Sequence, residues 1–218
     1  MPIKLNSTSG GSVTLDVPAT ASTYTHTFPA ETGTVITTST ASYNNASAVS
    51  VGTLPKARMP AGTVLQVVSA TKTDTQLFVS SSTFSDITGL SVTLTPTSAT
   101  SKFLIFWSVV AGNGSDGSHF YTRLQRNGSN ILVADAASNR TGASGGVINT
   151  SGPGQEHVNA STYLDSPATT STLTYKLQGT SNWTGGGSSY VNRSTRDNDA
   201  AGYDGRSTSS IFVMEIAQ

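Results

Sequence analysis

The sequence predicts an all-β protein, a jelly-roll-like β-sandwich that follows a short N-terminal β-arm. Apolar residues recur at every second position in several short segments, which is the period of a half-buried strand, and helical periodicity is nearly absent. The segment KFLIFWSVVA (102–111) is apolar at both parities, as in a central strand that is covered on both faces. Strands of this kind, separated by Gly-, Ser- and Asn-rich turns and without helices, favour a sandwich or jelly roll.

The front of the chain has three short strand-like segments with little apolar material. SVTLDV (12–17) alternates apolar and polar residues until a proline ends it, and YTHTF (24–28) and GTVITT (33–38) follow. Three such strands bury too little surface to be stable alone, so we expect them to pack on other copies of the chain or on a partner. The residues expected to anchor the arm are Val13, Leu15, Val17, Tyr24 and Phe28.

The next segment, residues 39–61, has weak periodicity, small side chains and two prolines, as a linker has. The predicted organisation is therefore a β-arm over 1–38, a linker over 39–61 and a β-sandwich knob over 62–218. Within the knob, Asn127-Gly128 favours a tight hairpin turn. The strands expected in the knob are 62–71, 90–96, 102–111, two within 120–135, 157–165, 171–179 and 210–217.

A local sequence occurs twice, as DVPATASTYT at 16–25 and as DSPATTSTLT at 165–174. In both, an Asp closes a strand, a Pro forces a turn, and Ser and Thr hydroxyls are available to bond the exposed backbone of the corner. The segment TPTSATS (95–101) is a looser third version. The similarity does not extend into the flanking strands, so we interpret it as a repeated structural corner rather than a duplicated domain.

The composition excludes several classes of function. Charged residues are 11% of the chain, with 12 basic and 12 acidic side chains, which argues against nucleic acid binding because neutralising phosphates needs a local excess of Lys and Arg. Without any cysteine there is no disulfide and no thiolate site. We also expect no membrane insertion, because no apolar run approaches about 20 residues. The N-terminus has no apolar signal segment, so we expect synthesis in a cytoplasm.

Catalytic and metal motifs are weak. The histidines are His26, His119 and His157, and no Gly-x-Ser-x-Gly elbow accompanies them, so we predict no enzymatic activity and no cofactor. DNDAAGYDG (197–205) is similar to a calcium loop, but Thr208 stands where a bidentate Glu is required. An exposed loop in which arginines offset the aspartates is the simpler interpretation, and no metal is predicted.

Carbohydrate recognition has more support, because sugars are held by aromatic faces together with planar polar groups. The segment 180–206 contains several asparagines and a set of aromatic and arginine side chains. The alternative is that Trp183 only closes one end of the sandwich. The candidate glycan or receptor contacts are Trp183, Tyr190, Arg193, Arg196 and Tyr203.

The residues resemble a known family of proteins. The front segment LNSTSGGSVTLDVPATASTYTHTFPAETGTVITT is similar to a short N-terminal repeat of tailed-phage fibre and virion surface proteins. The segments TLTPTSATSKFLIFWSV, LQRNGSNILVAD, YLDSPATTSTLTYKLQ and SIFVMEIA resemble β-sandwich knobs that end such fibres or decorate phage heads, those of cyanophages included. The resemblance covers nearly the whole chain and consists of strand and corner motifs.

The resemblance implies a tumour-necrosis-factor-like jelly roll that forms a homotrimer and lies on the virion surface. One expected role is a capsid decoration (cement) protein whose partner is the major capsid protein. The other is a tail-fibre tip that docks on a tail or baseplate protein and binds a host surface glycan. Decoration is favoured because the sequence has no shaft, neither heptads nor a collagen-like run nor a long β-helical repeat.

Overall fold

The computed structural model describes residues 3–6, 12–15, 59–114, 118–135, 137–148, 152–182, 187–200 and 202–218. The chain divides into two units, Met1–Gly52 and Thr53–Gln218. In the first unit, β1 (Ile3–Asn6) and β2 (Ser12–Leu15) pair antiparallel. Val13 and Leu15 lie in β2, whereas Val17, Tyr24, Phe28 and the strands predicted at 24–28 and 33–38 lie outside the described residues.

The second unit is built from β-strands, and its described residues contain no helix, hence none that could cross a membrane. Most of the predicted strands are present, with boundaries shifted by a few residues. The strands are β3 (Val64–Lys72), β4 (Gln76–Phe78), β5 (Ser85–Leu94), β6 (Lys102–Asn113), β7 (His119–Arg126), β8 (Ser129–Ile131), β9 (Gly145–Ile148), β10 (His157–Asp165), β11 (Leu173–Asn182), β12 (Ser189–Val191) and β13 (Ser209–Ile216).

These strands form two antiparallel sheets. One has the order β3-β13-β6-β10, and β12 and β4 extend it beside the end of β6; the other has the order β5-β11-β7, with β8 and β9 both pairing with β7. Taking β8 and β9 as one interrupted strand, this is the order of an eight-stranded jelly roll. The predicted all-β sandwich of jelly-roll type is therefore confirmed.

The core lies between the two sheets. Alternate residues of β6 point inward, and Phe103, Ile105 and Val109 are completely buried there. From the other sheet, Phe120 and Tyr175 reach the same core and are also completely buried. Aromatic contacts join the sheets, because the Phe103 and Tyr175 rings lie 6.1 Å apart between centroids.

The predicted Asn-Gly hairpin is present between β7 and β8. Asn127 has a φ of 48° and Gly128 a φ of 82°, the two positive angles that a tight hairpin turn requires. In contrast, β4, β9 and β12 lie in segments for which the sequence predicts loops or no element. They have only three or four residues each, QLF, GGVI and SYV, too few to give a period-2 pattern.

The corner after β10 has the predicted chemistry. Asp165 ends β10 and accepts a hydrogen bond from the Ser166 amide at 2.9 Å, while the Ser171 amide donates to the Thr169 hydroxyl at 3.0 Å. The matching corner at 16–25 lies outside the described residues. The third version is also confirmed as a hydroxyl-bonded corner, because the Thr100 amide donates to Ser98 Oγ at 3.2 Å.

Asp165 has a second role that the sequence did not indicate. Its carboxylate accepts hydrogen bonds from Arg126 Nη1 at 2.6 Å and from the Tyr175 hydroxyl at 2.7 Å. Burial, and then the neighbouring carboxylate, raise the pKa of Tyr175 well above its usual range, so the phenol stays a donor. Because Arg126 and Tyr175 belong to the opposite sheet, Asp165 ties the corner of one sheet to the other.

A buried carboxylate also holds the corner over 95–101. Glu215 is completely buried, and it accepts hydrogen bonds from the Thr97 amide at 2.6 Å, the Thr97 hydroxyl at 3.0 Å and Gln66 Nε2 at 2.5 Å. Burial by itself would raise the pKa of Glu215, but the hydrogen bonds outweigh it and lower the pKa below its ordinary value of 4.5.

Replacing Glu215 by Gln is expected to lower the free energy of unfolding by about 1–3 kcal/mol at neutral pH, because an amide group would face buried donors. The folded-state pKa lies below the unfolded one, so the stabilisation by Glu215 is complete above pH 4.5 and is lost as the pH falls through the folded value. The difference in Tm between wild type and Glu215→Gln should therefore shrink in acid. A difference that stays constant down to about pH 3 would contradict this.

The knob has two distinct ends. At the proximal end, the chain enters β3 beside the end of β13, where the Ala217 amide donates to the Thr63 carbonyl at 2.9 Å. The two corners and the Asn127-Gly128 turn lie at this end as well, as the strand registers require. The distal end contains the end of β6 and the segment 192–208.

Candidate interaction face

The outward side of the sheet β3-β13-β6-β10, here called the apolar face, carries apolar side chains where solvent would be expected. Val67, Val158 and Leu164 are 51%, 60% and 49% exposed. The Phe106 and Phe212 rings pack against each other at its centre, with centroids 5.7 Å apart. The apolar residues at its outward positions are Val64, Val67, Leu104, Phe106, Val110, Val158, Leu164, Phe212, Met214 and Ile216.

In the described strands β3, β13, β6 and β10, this face carries no charged side chain between its ends. The remaining outward positions of the four strands are filled by Ser, Thr, Ala and Gly, and Lys102 stands only at the first residue of β6. Four strands spaced about 4.8 Å apart and about nine residues long give an area of roughly 15 by 30 Å. Contiguous apolar patches of several hundred Å² on a monomer are commonly binding surfaces.

The outward side of the other sheet has the opposite chemistry. Lys176 Nζ lies 2.8 Å from an Asp86 carboxylate oxygen, and the hydroxyls of Thr93 and Thr174 hydrogen-bond at 3.0 Å. The Arg123 guanidinium lies 3.8 Å from the centroid of the Phe84 ring and covers it. The outward side of β5-β11-β7 is therefore polar enough to face water, whereas that of β3-β13-β6-β10 is not. This difference identifies the apolar face as the candidate interaction surface.

A shelf formed by Leu77, Tyr190 and Arg193 bounds the apolar face at its distal end. Tyr190 lies opposite Gly112 of β6 and Leu77 of β4, so all three share the outward side that Val110 also occupies. The Arg193 guanidinium stacks on the Tyr190 ring at 3.7 Å from its centroid. Leu77 is 50% exposed and also borders a lateral groove of about 300 Å³.

Gly112 permits this arrangement because the chain crosses directly over it. A Cβ at Gly112 would lie 2.3 Å from the Arg193 carbonyl oxygen and 2.7 Å from the Ser194 Cα. Both neighbours are backbone atoms, so a side chain at this position would displace the segment that forms the shelf.

Replacing Gly112 by Ala is therefore expected to lower the free energy of unfolding by about 1–3 kcal/mol, the usual effect of overpacking. Gly205→Ala is the matched control, because a Cβ at Gly205 would meet no atom within 4 Å. Thermal unfolding of the two variants tests this difference. Equal melting temperatures would show that the backbone over Gly112 can move to admit a methyl group without loss of stability.

Arginines and aspartates form an ion-pair network in the distal segment. Arg193 and Arg206 both pair with Asp197, the second at 2.5 Å. Arg196 Nε donates to Asp204 at 2.8 Å, and this contact is the main cause that holds the pKa of Asp204 well below its usual range. The Asn198 amide and the Ser194 hydroxyl, each at 2.8 Å, complete the shell of Asp204.

This network occupies two of the three aspartates of the segment that is similar to a calcium loop. Asp197 and Asp204 are engaged by guanidinium groups, as expected for a loop in which arginines offset the aspartates. Among the described residues there is no cluster of three or more His, Asp and Glu side chains placed to hold a metal ion.

The candidate glycan contacts separate into two pairs in the structure. Tyr190 and Arg193 belong to the shelf. Tyr203 is 62% exposed and lies under the Arg196 guanidinium at 5.5 Å, and that guanidinium also rests against Gly154, where a Cβ would be 2.9 Å away. Trp183 lies outside the described residues. The Tyr190–Arg193 pair thus lies over the end of β6, whereas the Arg196–Tyr203 pair lies against the turn before β10.

Two of the three histidines lie among the described residues, at the first positions of strands. The His119 ring stacks on Tyr121 with an interplanar angle of 6°, and its Nδ1 hydrogen-bonds to the Tyr121 hydroxyl at 3.2 Å. His157 begins β10 opposite Ala111. His26 lies outside the described residues.

No family model matches the sequence, and no curated protein matches it. Among solved structures, it is similar to the VP2 subviral particle of infectious bursal disease virus, with 14% identity, a TM-score of 0.37, and coverage of 70% of this chain and 41% of that chain. The Gx strain of the same virus matches with 14% identity, a TM-score of 0.36 and coverage of 71% and 43%. The chain spans less than half the length of these proteins. The jelly-roll assignment given above stands on this chain's own strand order.

Proposed function

We propose that this chain is a non-enzymatic virion structural protein, a homotrimeric jelly-roll knob that decorates a phage head. The observation that carries the proposal is the apolar face, because a face without charge at the centre of a stable sheet needs a permanent cover. Another copy of the same chain supplies that cover, because other copies are present wherever the protein is synthesised. A closed ring of copies covers the face of each member, whereas an open array would leave faces exposed at its ends.

The number of copies in the ring comes from the sequence resemblance, which is to knobs that form trimers. The composition of the face supports the same assembly, since obligate subunit interfaces are more apolar than ordinary surfaces and depleted in charge. The major capsid protein is then the proposed binding partner, and the virion surface is the proposed location.

The two ends of the knob support a decoration role. The chain enters at the proximal end through Thr63, where hydroxyl-bonded corners are short and tight. The distal end carries the longer segments and the ion-pair network. In this proposal the N-terminal arm, with Val13, Leu15, Val17, Tyr24 and Phe28, anchors the protein on the capsid, and the distal segments face outward.

Imaging purified particles that carry the protein with an epitope tag tests the proposal. Labelling over the head shell in many copies is expected. Labelling confined to the tail would replace decoration with the tail-fibre alternative, and particles that lack the protein would overturn both. Deletion of residues 1–50 should leave a folded knob that no longer joins particles, and normal incorporation would remove the anchoring role of the arm.

The alternative function is a receptor-binding fibre tip that docks on a tail or baseplate protein and recognises a host surface glycan. The exposed Tyr203 ring with Arg196 beside it is the observation that favours it, because aromatic faces and planar polar groups bind sugars. On a glycan array, Tyr203→Ala is expected to abolish binding in this case. Trp183→Ala tests the remaining candidate, and unchanged binding by both variants would exclude a sugar site in this segment.

A further inference from the structure

Resting on the proposed assembly through the apolar face, we infer that the shelf of Leu77, Tyr190 and Arg193 is a contact for a second copy of this chain. A subunit seated on the apolar face abuts the shelf, which fixes how far it slides toward the distal end. Tyr190 and Arg193 are thereby assigned to self-association rather than to glycan binding.

The position of the shelf is the first argument. The register places Tyr190 beside Gly112, two residues beyond Val110 on the outward side of β6. The backbone at Arg193 lies directly on that side, since its carbonyl oxygen fills the space above Gly112. The shelf is therefore a raised continuation of the apolar face, and any copy that covers the face must meet it.

The order of the side chains is the second argument. Arg193 is clamped between the Tyr190 ring and the Asp197 carboxylate, and its side chain is only 15% exposed. Such a pre-positioned pair loses little conformational entropy on binding. Tyrosine and arginine are also among the residue types enriched at the positions that dominate the binding energy of interfaces. Leu77 adds a half-exposed apolar side chain next to them.

The Arg196–Tyr203 pair provides a natural comparison within the same segment. It has the same chemistry, an arginine over a tyrosine, but it lies against Gly154 in the turn before β10 rather than over the end of β6. The two pairs have identical composition, so our assignment of only one of them to self-association depends on where each pair lies.

The test measures the mass of the full chain by light scattering across a dilution series. Tyr190→Ala and Leu77→Ser are each expected to weaken self-association by about tenfold or more, as loss of an interface anchor does. Tyr203→Ala is the matched control and should assemble like wild type. Thermal unfolding of each variant separates a loss of contact from a loss of fold, and Leu77, half exposed at the surface, keeps the test valid if Tyr190→Ala unfolds.

Each outcome bears on one proposal. If Tyr190→Ala and Leu77→Ser assemble normally while a charge placed on the apolar face produces monomers, the shelf is not a subunit contact and the proposed assembly stands. If the charged variant also assembles normally, the apolar face is not the interface, and the assembly itself is wrong. If Tyr203→Ala weakens self-association as much as Tyr190→Ala, the separation of the two pairs is wrong.

Discussion

Replacing Phe212 by Glu is expected to convert the proposed homotrimer into monomers of 22.4 kDa. Phe212 lies at the centre of the apolar face against Phe106, on the outward side of the sheet, so a carboxylate there is solvated in the monomer. In the assembly it would be buried among apolar side chains without a partner, which costs several kcal/mol. Light scattering at micromolar concentration measures the change directly.

Ser91→Glu is the control for the added charge. Ser91 is exposed on β5, whose outward side is already polar, so this variant should keep the wild-type mass. A wild-type protein that is monomeric at micromolar concentration would contradict the assembly. An assembled Phe212→Glu with an unchanged melting temperature would show that the apolar face has another role.

Replacing Asp165 by Ala is expected to destabilise the fold more than any other single change considered. Arg126 and the buried Tyr175 hydroxyl would lose their shared acceptor, and removing one member of a buried ion pair typically costs about 3–5 kcal/mol. For a domain of this size that corresponds to a fall in Tm of roughly 10 °C. Differential scanning calorimetry at neutral pH measures it.

Asp86→Ala provides the comparison, because it also removes an aspartate that pairs with a cation. Its side chain is 52% exposed, and surface pairs of this kind contribute about 0–1 kcal/mol. A similar loss of stability in both variants would mean that burial of Asp165 is not what gives the Arg126 contact its strength.

The fold was largely predictable because the apolar pattern within each longer strand indicates which of its faces is buried. KFLIFWSVVA predicts a central strand covered on both faces, and β6 is central in its sheet, but only one of its faces lies on the core and the other forms part of the apolar face. The corner at Asp165 was predictable for the same reason, since its bonds to Ser166 and within 169–171 are local.

The candidate site was less predictable, because its contacts join distant parts of the chain. Gly112 and Arg193 are neighbours only after β12 has paired with β6, and nothing around Gly112 in the sequence indicates that backbone crosses it. The aromatic and arginine residues of 190–203 are close in sequence, which suggested one surface. The structure separates them within the distal end, since a three-residue strand places Tyr190 on the sheet and leaves Tyr203 in a loop.

The meeting of Thr63 and Ala217 at the proximal end has a practical consequence for protein engineering. A peptide fused after Gln218 emerges beside the point where the chain enters the knob, at the proximal end. An insertion near Gly205, where an added Cβ would meet no atom within 4 Å, would instead be carried by the distal end. A tag meant for the distal end therefore belongs in that loop rather than after Gln218.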